Sequence, residues 1–314
     1  MITQLEKSIF GAIVYYDVFD YPLTLVEIQR HLLHLLPKED IRKYSLREIQ
    51  EVISQGVLLR STIRSRNGYF YLRQKEYILD RRHARHVIAK KKYDFAHEII
   101  QVLSRVPFVR AILACNSLAI HNTTYYSDID LVMICKKRGA WWVRLFCLLY
   151  LRFKKLRPGM PGDNDKICLS FFVDEDNLNI GGLRMGKADI DFGYWVANFY
   201  LIYDAGGYYN KFWNANREWL KQYFPNTQKT SAHPNYVARH RPIFRIILEW
   251  LLALFTWPMQ VAQLKKLPKK IMLLANKDTR VRVQDGLIKM HVNDRRIEHL
   301  QEFIQKYDKA LSHI

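Results

Sequence analysis

Apolar residues recur at helical spacing from residue 5 to 16. The same period returns in YPLTLVEIQRHLL, where Thr24 is placed as an N-cap, and in YSLREIQEVISQGVLL. Ser45 heads that third segment with Glu48 three residues on, a capping box, and Gly56 is placed to end it. LLRSTIRS and GYFYLR follow as two short β-prone pieces around Arg66-Asn67-Gly68, a hairpin signal. The stretch from about 76 to 104 reads as a helix whose basic face either contacts phosphates or is simply solvated. FVRAILACNS then reads as a strand entering a turn, LAIHNTTYYS as a short helix or loop, and DIDLVMICKK as a second strand. WWVRLFCLLYLRFKKLRPG reads as a long apolar helix covering the sheet, RPGMPGDNDK as a loop and KICLSFFV as another strand. Residues 186–224 read as helical, broken at Asp204-Ala205-Gly206-Gly207, and Pro225 to Pro234 as a linker. Beyond it come an apolar helix from about 242 to 265, a weak β-like piece RVRVQDGLIKMHV and a last amphipathic helix, 294–311.

The expected fold class is α+β, in three blocks: 1–80, 81–225 and 226–314. The first, three helices followed by a hairpin, resembles a winged helix, a variant of the helix-turn-helix. That resemblance implies the second helix as recognition element and the hairpin as wing. The second block is expected to be a mixed sheet with flanking helices, the third a mainly helical basic region.

Charge narrows the partners. The chain of 314 residues carries 49 Lys+Arg against 30 Asp+Glu, a net +19, which favours nucleic acid or an anionic membrane. Basic residues crowd between Arg60 and Lys92, with Tyr69, Phe70, Tyr71 and Tyr77 among them. Cations for phosphates and flat rings for bases suit a single strand or a loop, so RNA is favoured over DNA. The candidate nucleic-acid contacts are Arg64, Arg66, Arg81, Arg82, Lys90, Lys91 and Lys92, joined by Lys269 and Lys270 in the C-terminal block. From residue 229 onward 16 basic residues face 7 acidic ones, nearly half of the excess charge.

Four cysteines without CxxC spacing read as reduced core residues, which suits a cytoplasm. The N-terminus lacks a basic region followed by an apolar run, so no signal peptide is visible. The most apolar run, 243–257, is short for a bilayer span and carries Arg245 and Glu249, so a buried or interfacial helix is expected and no transmembrane segment.

The candidate chemistry lies in LACNSLAIHNTTYYSDIDLVMIC. Asp128 and Asp130 have strand spacing, so their side chains share one face inside an apolar run. Two like charges that close repel and take up a proton unless a cation joins them. Mg²⁺ accepts such hard oxygen ligands when substrate phosphates complete its shell. The other reading has Asp128 in a turn and Asp130 paired with Arg110 or Arg144.

This stretch resembles the nucleotidyltransferase superfamily that includes DNA polymerase beta, poly(A) polymerases, CCA-adding enzymes and aminoglycoside nucleotidyltransferases. The family pattern is an apolar strand, Gly-Ser, about ten residues, then Asp-x-Asp or Asp-x-Glu. Ser117 holds the serine place and Asp128-Ile129-Asp130 the carboxylate place, while Asn116 stands for the glycine. The resemblance covers roughly 105–180 and implies a nucleotidyltransferase domain over 81–225. It implies that Asn116 and Ser117 hold the phosphates of a nucleoside triphosphate, ATP foremost, and that Asp128 and Asp130 bind Mg²⁺. The implied activity moves NMP to a hydroxyl, with RNA the favoured acceptor. The family's third carboxylate is missing from KICLSFFV, where Cys168 and Ser170 alternate. Asp174 is the nearest stand-in, ahead of Asp176, Asp165 and Asp163. The alternative is a catalytically weak or inactive member of the fold, acting as a winged-helix nucleic-acid binder or a toxin–antitoxin component. Asp189 and Asp191 form a second Asp-x-Asp, in a helical context that argues against a second metal pair.

Overall fold

The computed structural model describes residues 2–35, 42–73, 75–161, 165–187, 189–231 and 244–312. Asp163 and part of the expected linker lie outside the described residues.

The N-terminal elements start where capping chemistry places them. α1 (Gln4–Asp17), α2 (Leu25–Arg30) and α3 (Leu46–Gln55) are each headed by a hydroxyl, from Thr3, Thr24 and Ser45. Each hydroxyl accepts from the third helical amide, while Glu6, Glu27 or Glu48 accepts in return from the cap amide. Gly56 ends α3, but the chain turns at once into α4 (Val57–Thr62), where a strand was expected. The amide of Leu58 donates to buried Glu6 at 2.7 Å, which supplies α4 with the cap its own sequence lacks. β1 (Leu23–Thr24), β2 (Ile63–Arg66) and β3 (Tyr69–Leu72) form a small antiparallel sheet in the order β1-β3-β2. Asn67 and Gly68, at φ 53° and 79°, make the two-residue turn between β2 and β3.

A 26-residue helix, α5 (Ile78–Leu103), leads to the central sheet. There β4 (Val109–Ala114) ends at the short α6 (Asn116–Ala119). β5 (Ile129–Cys135), α7 (Ala140–Phe153) and β6 (Ile167–Asp174) follow, then α8 (Ile190–Ala197), β7 (Tyr200–Asp204) and α9 (Tyr208–Tyr223). The chain closes with α10 (Phe244–Ala253), α11 (Thr256–Lys265), α12 (Lys269–Leu274), β8 (Val281–Gln284), β9 (Leu287–Met290) and α13 (Arg296–Leu311). The six strands order as β7-β4-β5-β6-β9-β8. Only β5 and β6 are parallel, joined through α7, and the rest pair antiparallel.

Alternation along the strands makes two cores. Ala111, Leu113, Val132, Ile134, Phe171 and Val173 face one side, with α1, α8, α9 and α13. Ile112, Ala114, Leu131, Met133, Leu169 and Phe172 face the other, with α5 and α7. Ile9 and Leu58 from the first expected block, Val132 from the second and Phe303 from the third lie in the same core. The β8–β9 hairpin likewise extends the central sheet through β6.

The expected helix 242–265 is two helices bent by 72°, and among the described residues no single helix is long and apolar enough to cross a membrane. α10 docks through its charges. Arg245 and Glu249, one turn apart, are both buried. Glu249 accepts from the Phe108 amide at 2.7 Å and from Arg110 at 2.9 and 2.7 Å, and pairs with Arg245 at 3.1 Å. Arg245 also donates to the carbonyls of Ser104 and Val109.

Candidate active site

β4 runs antiparallel to β5 and delivers the chain into a tight turn at Asn116. Asn116 adopts φ 54°, the left-handed region that asparagine tolerates better than most residues. Its side chain then works in both directions. The carboxamide oxygen accepts from Trp195 Nε1 at 2.7 Å, and the amide group hydrogen-bonds Asp130.

Asp130 sits on β5 directly beside Cys168 of β6. Burial pushes its carboxyl up to about 6, against hydrogen bonds from Asn116 and Cys168, and the charge of Asp128 adds to the rise. No lysine, arginine or histidine among the described residues ion-pairs with it, which excludes Arg110 and Arg144 as its partner. Arg110 is taken by Glu249, and Arg144 by Gln263 at 2.8 Å. Asp128 is also raised by burial, while Lys92 and Lys166 pull it back. The Cys168 thiol is pushed up to about 12, by burial first and then by Asp130, so it stays protonated.

A cavity of about 620 Å³ opens in front of Asp130, within the size range of small-molecule sites. Asn116, Ser117, Cys168 and Ser170 line its sheet side. Tyr15 and Phe19, at the end of α1, and Trp195 of α8 supply aromatic walls. The remaining wall was not foreseen from sequence: it is the segment from Lys289 to His299, brought there because β9 pairs with β6. His291 lies 3.0 Å from Ser170 Oγ. Burial, then the charge of Lys289, pushes His291 down to about 3, so the ring is neutral across the physiological range. Lys289 is lowered to about 8, mainly by burial and then by Arg296. The available signal was the alternation in GLIKMHV, which marks a strand without naming its neighbour.

The second Asp-x-Asp is structural. Asp189 caps α8 by accepting from the Phe192 amide at 3.1 Å and pairs with Arg296 at 2.7 Å. Asp191 accepts from Tyr15 at 2.7 Å and from His299 at 3.2 Å. Both acids tie α13 and α1 to α8.

Asp174 is not brought to the pair. It faces Cys135 at the far end of β5, six residues along β6 from Cys168, or roughly 20 Å at strand rise. There it is buried and accepts from the Arg138 and Asp176 amides at 3.0 and 3.1 Å and from Asn177 at 2.8 Å. Its place is a clasp between the end of β6 and the β8–β9 turn, whose Gly286 carbonyl accepts from the Asp174 amide at 2.8 Å. Asp176 pairs with Lys137 at the same end. Asp165 lies at the correct end but is held by Lys92 at 2.8 Å.

The basic candidates divide. Lys92 is 2% exposed and is spent on the carbonyls of Tyr125 and Ser127 as well as on Asp165, so it anchors the loop before β5 and is closed to nucleic acid. Arg82 is mostly enclosed, paired with Glu27 at 2.7 Å and stacked over Tyr21. Arg64, Arg66, Lys90 and Lys91 are exposed, as are Lys269 and Lys270 at the start of α12. Arg81 is exposed and paired with Asp20.

Comparison with protein-family models, with curated proteins and with solved structures finds no match. The geometry therefore stands alone. Among the described residues no group of three His, Cys, Asp or Glu side chains is gathered as for a metal. Asp128 and Asp130 are hard oxygen donors close enough for the charge of one to raise the other, and among the described residues Asp130 has no ion-pair partner.

Proposed function

We propose that the chain binds a nucleoside triphosphate with Mg²⁺ in the cavity at Asp130 and transfers NMP to a hydroxyl acceptor, RNA by preference. The carrying observation is Asp130, a half-buried carboxylate on β5 without an ion-pair partner among the described residues, next to the turn at left-handed Asn116. The antiparallel β4–β5 pair followed by the parallel β5–β6 pair supports a nucleotidyltransferase-type sheet. Ser117 and the turn amides offer donors to phosphate oxygens, and Asn116 holds Asp130 in place. A divalent cation, when bound by Asp128 and Asp130, supplies the positive charge that the triphosphate requires. The aromatic walls at Tyr15, Phe19 and Trp195 offer flat surfaces for a base. The first 72 residues support a winged-helix reading, with helix, strand, helices and a two-stranded wing in a sheet ordered β1-β3-β2.

One observation favours a second reading, in which nucleotide is bound but not turned over: a thiol, Cys168, stands beside Asp130 where the resemblance calls for a carboxylate. Incubation with labelled nucleoside triphosphates, Mg²⁺ and total RNA separates the two. Label entering RNA, and none after chelation, is the expected result. Bound nucleotide with no labelled product supports the second reading. Cys168→Asp is expected to raise transfer by about 10²-fold or more if only that acid is lacking. No labelled RNA from either the native chain or this variant argues that the site never transfers.

The acceptor contact has its own signature. If about six phosphates are neutralised by exposed cations such as Arg64, Lys90 and Lys91, log K for single-stranded RNA falls against log salt with a slope of about −4. A flat response in a filter-binding titration removes RNA from the reading.

A further inference from the structure

α10 is inside out. Among its described side chains Arg245 and Glu249 are buried, Leu248 and Leu252 are half-buried, and Ile246, Ile247, Trp250 and Leu251 point to solvent. Ile247, Trp250, Leu251 and Leu254 are each more than half exposed, and Trp250 reaches 74%. The face continues through Phe255 into Trp257 at the head of α11. Isolated exposed leucines are ordinary, but a continuous row on two consecutive helices is not. α7, against which α11 packs, adds exposed Leu149 and Phe153.

We propose that this face is a membrane-docking surface, seated in the headgroup region of an anionic lipid bilayer. Three observations commit it to that occupant. The first is charge. From Trp250 to Lys277 the chain contains no acidic residue and five lysines, Lys265, Lys266, Lys269, Lys270 and Lys277, all exposed. Phe153 is likewise followed by exposed Lys154 and Lys155. Apolar rows rimmed by cations complement anionic lipid. A second copy of the chain would bring the same lysines to a shared interface. The second is the side-chain type: two tryptophans at the outer face are the residues that settle at the level of headgroups. The third is shape. Each helix has ten residues, about 15 Å against a hydrocarbon core of about 30 Å. The 72° bend between them suits a pair laid along a surface. Inward, the Arg245–Glu249–Arg110 cluster fixes α10 to β4, so the apolar row is presented on a rigid support.

The proposal is independent of the nucleotide site, and its test uses no nucleotide. The full chain is mixed with phosphatidylcholine vesicles, with or without phosphatidylserine, and separated by flotation. Expected is flotation with the anionic vesicles, weakened by salt, and little with neutral ones. Trp250→Ser with Leu254→Ser leaves the charge unchanged and is expected to lower the partition coefficient at least about tenfold. Because both residues point outward, the melting temperature should hold. In the unaltered chain, brominated phospholipids should quench tryptophan fluorescence, which checks insertion without any variant. Absence of flotation, or equal flotation of the double variant, overturns the proposal. So does a concentration-dependent dimer in sedimentation velocity that the same double variant abolishes, which would make a second copy the occupant.

Discussion

Asp130→Asn is expected to stabilise the protein in the absence of divalent ions. Burial lifts this carboxyl from the ordinary 3.8 to about 6. Between those values the folded chain still holds a proton that the unfolded chain has released. Stability therefore falls as pH rises from about 4 to 6, and the whole loss is in place above 6. Two units correspond to about 3 kcal/mol, less whatever solvent in the cavity screens. Asparagine keeps the shape and removes the charge. Its melting temperature should exceed that of the native chain by a few degrees at pH 7.5, and the two should converge below pH 4. Adding Mg²⁺ should narrow the gap at pH 7.5 by raising the native chain alone. A gap that persists at pH 3.5 would show that packing, not ionisation, is responsible.

Glu249→Gln is expected to be the most destabilising single change outside the apolar core, at about 3–5 kcal/mol. The carboxylate is held down to about 2: burial opposes this, but hydrogen bonds from Arg110 and the Phe108 amide and the charges of Arg110 and Arg245 outweigh it. Removing it leaves Arg245, 5% exposed at the side chain, without its counter-charge. The linkage has the opposite sign to that of Asp130. The stabilisation is complete above pH 4.5 and is lost as pH falls towards 2. Urea unfolding should therefore show a large deficit for the variant at pH 7 and a smaller one at pH 3. Equal deficits at both values would mean that shape, not charge, carries the contact.

Local chemistry was legible where a residue and its near neighbours decide the structure. Thr24 with Glu27, Ser45 with Glu48 and the Asn67-Gly68 turn are of this kind. So is the strand that carries Asp130, read from the apolar run around it. Three kinds of feature were not legible. β7, five residues between two helices, reads as part of a helical apolar run, and only its pairing with β4 makes it a strand. The end of β6 on which an acid lies follows from strand direction and register, which put Cys168 beside Asp130 and Asp174 beside Cys135. The Lys289–His299 wall depends on a long-range pairing that alternation cannot specify. Charge also misled: Lys92 counts as a surface cation in composition, yet its ammonium closes a loop.

In the proposed reading Asp128 and Asp130 hold a divalent cation together with a triphosphate. Isothermal titration of ATP into the native chain, with Mg²⁺ and then with chelator, tests it most directly. Expected is one site that needs Mg²⁺ and that Asp128→Asn or Asp130→Asn each abolish, with the fold intact by circular dichroism. ATP bound equally with chelator, or bound by Asp130→Asn as tightly as by the native chain, would contradict it.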